Sequence, residues 1–124
     1  MKILFTGHRD CACEESVLIH IHNKYPDAEW IHGGTNGFDT QVEQFAQTKG
    51  IKSIIFSEEA KSFGQFTLVQ RMDSMVKNCD RVVALWDGRS QGGTRCVIGK
   101  ARSAGKLVYL IPQSKIKRLK NSIT

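Results

Sequence analysis

The chain alternates between short apolar runs and longer stretches in which apolar residues recur every three or four positions. The apolar runs are five or six residues long, as β-strands are, and cover residues 2–6, 28–32, 51–56, 81–86 and 106–111. The helical periodicity covers residues 14–24, 37–49, 66–78 and 94–104, and a polar loop is predicted over 57–65.

Five strands that alternate with four helices predict an α/β fold. We expect a Rossmann-like three-layer α/β/α arrangement around a five-stranded, mainly parallel sheet with right-handed crossovers. Residues 81–86 form the most continuous apolar run and predict a central strand that is covered on both faces. The length of 124 residues predicts a single domain. We expect this domain to cover residues 1–112 and to be followed by a basic tail over 113–124.

Glycine-bearing segments follow three of the predicted strands. They are GHRD (7–10), GGTNGFD (33–39) and WDGRSQGGT (86–94). In a parallel sheet the carboxyl ends of the strands meet at one edge, and ligands of open α/β sheets bind there. We therefore expect the three segments to form a single crevice.

The chemistry of these segments suits an anion. Each GGT triplet, at 33–35 and at 92–94, is expected to open a helix whose unpaired amides and positive end attract a phosphate. Arginine side chains can add bidentate contacts. The candidate ligand-binding residues are Gly7, His8, Arg9, Gly33, Gly34, Thr35, Asp39, Arg71, Asp87, Ser90, Gly92, Gly93 and Thr94.

Three of the unusual residues have alternative interpretations. Asp39 either caps the first turn of a helix or contacts a ribose hydroxyl, and the positive helix end favours its ionised form. His8 is a candidate ligand contact or a hydrogen-bonded loop residue. Trp86 belongs to the core or stacks on a base. The chain lacks both the G-x-G-x-x-G fingerprint and the Walker A lysine motif, which argues against dinucleotide dehydrogenases and P-loop NTPases.

Charge and cysteine content narrow the partners and the compartment. The formal net charge of +6, with four positive and no negative charges in residues 115–124, favours anionic partners such as nucleotides or nucleic acid. No apolar run reaches the ~20 residues that cross a bilayer, and no signal peptide pattern is present. We therefore expect a cytoplasmic protein with reduced cysteines and no membrane partner. The oligomeric state, monomer or homo-oligomer, stays open.

A metal site is not expected. Cys11, Cys13 and His8 lie close together along the chain, but their spacing matches no common zinc pattern and no second ligand pair follows. We likewise expect no cofactor.

The order and spacing of four motifs resemble the SLOG superfamily. They are GHRD (7–10), HGGTNGFD (32–39), QRMDSM (70–75) and GGT (92–94). This Rossmann-like group includes the Lonely Guy phosphoribohydrolases and the Rossmann domain of the DNA-processing protein A family. The likeness is greatest to small stand-alone SLOG domains of bacteria and phages, and it runs from about residue 2 to 112.

The resemblance implies a nucleotide or nucleotide-derivative site in which the glycines and Thr94 face phosphate and ribose. Arg71 aligns with the arginine of the Lonely Guy arginine-lysine motif, which is implicated in catalysis there. This chain departs from those hydrolases at Val97, where they have a glutamate three residues after the threonine. A valine can neither donate a proton nor stabilise a developing ribosyl cation.

Three functions follow in order of preference. The first is a nucleotide-derivative-binding module that acts as a sensor, carrier or sequestering protein. The second is a nucleotide N-glycoside hydrolase, whose candidate catalytic residues are Arg71 and an acid/base aspartate, either Asp10, Asp39 or Asp87. The third is a single-strand nucleic-acid binder, which the net charge supports and the scarcity of aromatic residues opposes.

Overall fold

The computed structural model describes residues 1–56 and 68–119. The strands within these ranges are β1 (Lys2–Gly7), β2 (Cys11–Cys13), β3 (Glu29–His32), β4 (Ser53–Ile55), β5 (Arg81–Leu85), β6 (Leu107–Leu110) and β7 (Ile116–Arg118). The helices are α1 (Glu15–Lys24), α2 (Phe38–Lys49), α3 (Leu68–Lys77) and α4 (Gly93–Ser103), and a 3₁₀ turn spans Gln113–Lys115. The polar loop predicted over 57–65 and the predicted helix start at 66–67 lie outside the described residues.

Five strands form an all-parallel sheet in the order β4-β3-β1-β5-β6. The central strand β1 pairs with β3 on one side and with β5 on the other, so that Leu4 lies opposite both Ile31 and Val82. The chain builds one half of the sheet before it crosses β1 to build the other half. The strand order therefore reverses at β1, and a crevice is expected at the carboxyl ends beside it.

The two faces of the sheet carry separate apolar cores. On one face α1 and α2 pack against Phe5 and Trp30, and the Trp30 and Phe45 rings stack with centroids 5.4 Å apart. On the other face α3 and α4 pack against Leu4 and Val82. Helices on both faces of a parallel sheet confirm the predicted Rossmann-like three-layer fold. The strand that was predicted to be central, β5, lies between the central strand β1 and the edge strand β6, and it is buried from Val82 to Leu85.

Close approach between the segments that follow β1 and β3 explains two glycines. Gly37 has a φ of +73°, and a Cβ atom there would lie 2.7 Å from the Arg9 Cα. A Cβ atom on Gly7 would lie 2.8 Å from the Cβ of Phe38. Both distances are too short for real atoms, so side chains at these positions would push the two segments apart.

A small second sheet was not foreseen from the sequence. It pairs β2 with β7 in antiparallel register, with Cys11 opposite Arg118. The amide of Glu14 donates to the carbonyl of Lys115 over 2.9 Å, and the amide of Leu119 donates to the Asp10 carbonyl over 2.8 Å. The first part of the segment predicted as a basic tail is therefore anchored to the segment that follows β1.

All four cysteines are free thiols, and three of them are buried. Burial raises the pKa of the Cys13 thiol to about 11, so this group stays protonated at neutral pH. None of the helices in the described ranges is both long enough and apolar enough to cross a membrane.

The substitution Gly37→Ala should destabilise the fold more than Gly50→Ala does. Both glycines have positive φ angles, but nothing lies within 4 Å of a Cβ atom on Gly50. Gly50 has the left-handed helical conformation, in which an alanine costs about 1 kcal/mol of backbone strain. Gly37 has a ψ of −121° and lies outside that region, so Gly37→Ala adds further backbone strain as well as overpacking against Arg9 and should cost about 1–3 kcal/mol more. Unfolding free energies from urea titrations measure both, and equal losses would contradict the packing described here.

Candidate functional site

A cavity of about 310 Å³ opens beside β1 at the carboxyl edge of the sheet. This volume lies at the lower end of the range for small-molecule sites, about 300–1,000 Å³. Its walls come from the end of β1, the segment between β3 and α2, one side of α3 and the start of α4. The crevice expected from the three glycine-bearing segments is therefore present.

Most of the predicted site residues line this cavity. On the side of β1 and β3 these are Gly7, His8, Arg9, Gly33 and Thr35. On the helical side they are Asp39, Arg71, Gly92, Gly93 and Thr94. Gly34, Asp87 and Ser90 do not line the cavity, although each lies on one of the segments that form it.

The N-terminus of α4 forms one wall. The helix begins at Gly93 and follows Gly92, which has a φ of +113°. No side chain caps the helix, and its first turn contains no acidic residue. The amides and the positive end of the macrodipole are therefore free to meet an anion, as expected for residues 92–94.

The same expectation is wrong for residues 33–35. The second helix, α2, begins at Phe38 with Gly37 as its N-cap, so the triplet precedes the helix by three residues. The Phe38 amide donates to the carbonyl of His8 over 3.4 Å. Positive φ angles at Gly34 and Gly37 keep the chain out of the helical conformation until Phe38.

A buried histidine shapes this segment. The amide of Gly34 donates to Nδ1 of His32 over 3.0 Å, which leaves the proton of the ring on Nε2. Nε2 then donates to Oε1 of Glu43 over 2.8 Å. The pair fixes the ring, and the ring fixes the backbone that carries Gly33 and Thr35 along the cavity.

Asp39 is buried on the cavity wall, with 5% of its surface exposed. Its Oδ2 atom accepts hydrogen bonds from the Thr35 amide over 3.2 Å and from the Thr35 hydroxyl over 2.9 Å. Its Oδ1 atom is buried without a hydrogen-bond partner among the described residues. Burial raises the pKa of Asp39, and the bonds from Thr35 only partly oppose this shift. Desolvation therefore acts against the ionised form that the nearby helix end is expected to favour.

Arg71 lies on the cavity wall beside Met72 and Met75. Its Nη1 atom donates to the carbonyl oxygens of Gly33, over 3.1 Å, and Phe56, over 3.2 Å. Its Nε atom is buried without a hydrogen-bond partner among the described residues. Arg71 thus ties α3 to the segment after β3 and still presents a cation to the cavity.

Arg89 joins two segments through a network of charges. Its Nε and Nη2 atoms donate to the two carboxylate oxygens of Asp87 over 2.9 and 2.7 Å, and Nη2 also donates to Asp10 over 3.0 Å. These bonds hold the pKa of Asp87 well below its usual range. The Nε2 atom of His8 lies 3.1 Å from Asp87, yet burial and the charge of Arg89 lower the pKa of His8. Asp87 therefore pairs with Arg89 and does not line the cavity.

Six residues of the cavity wall were not predicted from the sequence. They are Phe5, Thr6, Met72, Met75, Arg89 and Val97. Val97 drew attention only as a departure from the Lonely Guy pattern. The glycine spacing predicted the loops. The apolar walls depend on tertiary packing, and the position of Arg89 depends on its bond to Asp10, which lies 79 residues before it in the sequence. Among the described residues no group of three or more metal-ligating side chains comes together.

The substitution Asp39→Asn should raise the melting temperature by a few degrees at pH 7. The asparagine oxygen can keep the bonds from Thr35, and the cost of burying a charge disappears. Because the folded-state pKa is raised, that cost is fully present above the raised pKa, shrinks as the pH falls through it, and vanishes below the ordinary aspartate value of about 3.9. Thermal melts from pH 3 to pH 8 measure the gain, and a gain that is independent of pH would contradict this assignment.

The model of the YAcAr family, described as a YspA, cpYpsA-related SLOG family, matches residues 1–63. This stretch is just over half of the chain and includes β1, β3 and the segment between Gly33 and Asp39. Comparison with curated proteins and with solved structures finds no match. The match contains the motifs GHRD and HGGTNGFD, whereas those at 70–75 and 92–94 lie beyond it. It confirms the resemblance to SLOG proteins, and the chain belongs to the YAcAr family.

Proposed function

We propose that this chain binds a nucleotide-derived anionic ligand in the cavity and acts as a sensor, carrier or sequestering module. The observation that carries the proposal is the uncapped N-terminus of α4, where Gly92 and Gly93 line the cavity. Such a helix start offers free amides and a positive potential to a phosphate. Membership of a SLOG family fits a nucleotide-related role.

The remaining walls suit the other parts of a nucleotide. Arg9 and Arg71 add positive charge to the cavity. Met72 and Met75 supply apolar surface, and the soft sulfur atoms of methionine make favourable contacts with aromatic rings such as a base. The cavity therefore combines a phosphate subsite with an apolar surface for a base.

A negative charge at the start of α4 should weaken binding. Gly93→Asp places a carboxylate where the phosphate is proposed to lie and should reduce the affinity for AMP, ADP-ribose or NAD about tenfold or more, which corresponds to about 1.4 kcal/mol. Gly93→Ala isolates the steric part, because a Cβ atom there would lie 3.0 Å from the mobile end of Met72 and nothing else is near. Calorimetric titration measures each affinity.

A charge-matched control lies on the same helix. Gly99→Asp adds the same charge on α4. Gly99 is exposed and does not line the cavity, and a Cβ atom there would meet nothing within 4 Å. It should bind the three nucleotides as the wild type does. Equal affinities for wild type and Gly93→Asp, or equal losses in Gly93→Asp and Gly99→Asp, would overturn the assignment of this helix to the phosphate.

Asp39 favours a second candidate function, the hydrolysis of a nucleotide N-glycosidic bond. A buried carboxyl group with a raised pKa is suited to donate a proton to a departing base. Against it, Val97 lines the cavity and offers no carboxylate for a developing ribosyl cation. Chromatography of the samples from the same AMP titrations distinguishes the binding module from the hydrolase. Intact AMP supports binding alone. Release of adenine that disappears in Asp39→Asn supports the hydrolase.

A further inference from the structure

The two carboxylate oxygens of Asp39 have unequal surroundings. Oδ2 receives two hydrogen bonds from Thr35, whereas Oδ1 is buried and has no partner among the described residues. An unpaired buried oxygen loses its hydration and gains nothing in return. Since Asp39 lines the cavity, a ligand group is the natural partner for this oxygen.

The neighbouring side chains do not serve as that partner. Arg71 lines the same cavity, but its Nη1 atom donates to the carbonyl oxygens of Gly33 and Phe56, and its buried Nε atom makes no hydrogen bond to Asp39 or to any other described residue. The hydroxyl of Thr35 already donates to Oδ2. A metal ion is also a poor partner, because the described residues bring no group of three ligating side chains together.

A hydroxyl group matches this oxygen in either protonation state of Asp39. A hydroxyl donates one hydrogen bond and accepts others, so it can pair with a carboxylate or with a carboxylic acid. An ammonium group cannot accept the bond that a carboxylic acid donates, and an unprotonated phosphate oxygen cannot donate a bond to a carboxylate. Asp39 and the start of α4 line the same cavity, which places a hydroxyl subsite and a phosphate subsite within reach of one small molecule.

We infer that Asp39 binds a sugar hydroxyl of the ligand, so that the cavity selects a ribose phosphate over a deoxyribose phosphate. The inference rests on the proposed function and specifies its ligand class. A site built to bond a hydroxyl rejects the analogue that lacks it, because the buried acceptor is then left unpaired.

Three ligands that differ by one oxygen atom test the inference. AMP, 2′-deoxy-AMP and 3′-deoxy-AMP are titrated calorimetrically into the wild type, into Asp39→Asn and into Asp73→Asn. Asp73 is exposed on α3, pairs with Lys100 over 2.8 Å and lies outside the cavity, so its variant controls for the loss of one negative charge. Circular dichroism confirms that each variant is folded.

The wild type should bind at least one deoxynucleotide about tenfold more weakly than AMP, since the missing hydroxyl leaves the buried Oδ1 atom of Asp39 unpaired. Asp73→Asn should keep this ratio, and Asp39→Asn should reduce it to less than about threefold because the NH₂ group that replaces Oδ1 cannot accept the bond that the hydroxyl donates. Equal binding of all three nucleotides by the wild type would overturn the inference and leave the proposed function standing. Undiminished discrimination in Asp39→Asn would also overturn it. Failure of every nucleotide to bind would overturn the proposed function as well.

Discussion

The pairing of β1 with both β3 and β5 is the constraint on which the cavity depends. This pairing places the carboxyl ends of the three strands side by side. The segments that follow the strands therefore lie at the same edge of the sheet. Contact between Gly37 and the Arg9 backbone, and between Gly7 and Phe38, then closes the two segments on each other. The position of the cavity is thus set by backbone geometry and apolar packing, and Arg71 and Arg89 strengthen this frame by joining the segments around it.

Charge is distributed unevenly within that frame. The start of α4 is positive and uncapped, whereas Asp10 and Asp87 neutralise Arg89 on the neighbouring segment. Asp39, by contrast, keeps a buried oxygen that has no partner among the described residues, which costs stability. Natural proteins tolerate such local costs at functional sites and rarely elsewhere. The contrast between the hydrogen-bonded network at Arg89 and the unpaired oxygen of Asp39 supports the proposal that Asp39 is the group that bonds a ligand.

Local patterns predicted much of this arrangement, because they report geometry that is itself local. Apolar periodicity located the four helices and the strands of the main sheet, and the glycines at 92–93 marked the start of α4. The prediction that the triplet at 33–35 opens a helix is wrong, because positive φ angles at Gly34 and Gly37 keep the chain non-helical until Phe38. The pairing of β2 with β7 and the contact of Arg89 with Asp10 join residues far apart in the sequence, so no local pattern reveals them.

The central claim is that the start of α4 receives the phosphate of a nucleotide-like ligand. Titration of the ¹⁵N-labelled protein with AMP, ADP-ribose and NAD, followed by amide chemical shifts, tests it most directly, because the proposed contacts are made by backbone amides. The account predicts that at least one of these ligands causes its largest shifts at Gly92, Gly93 and Thr94. Shifts confined to residues outside the cavity, or no shifts with any of the three ligands, would contradict it.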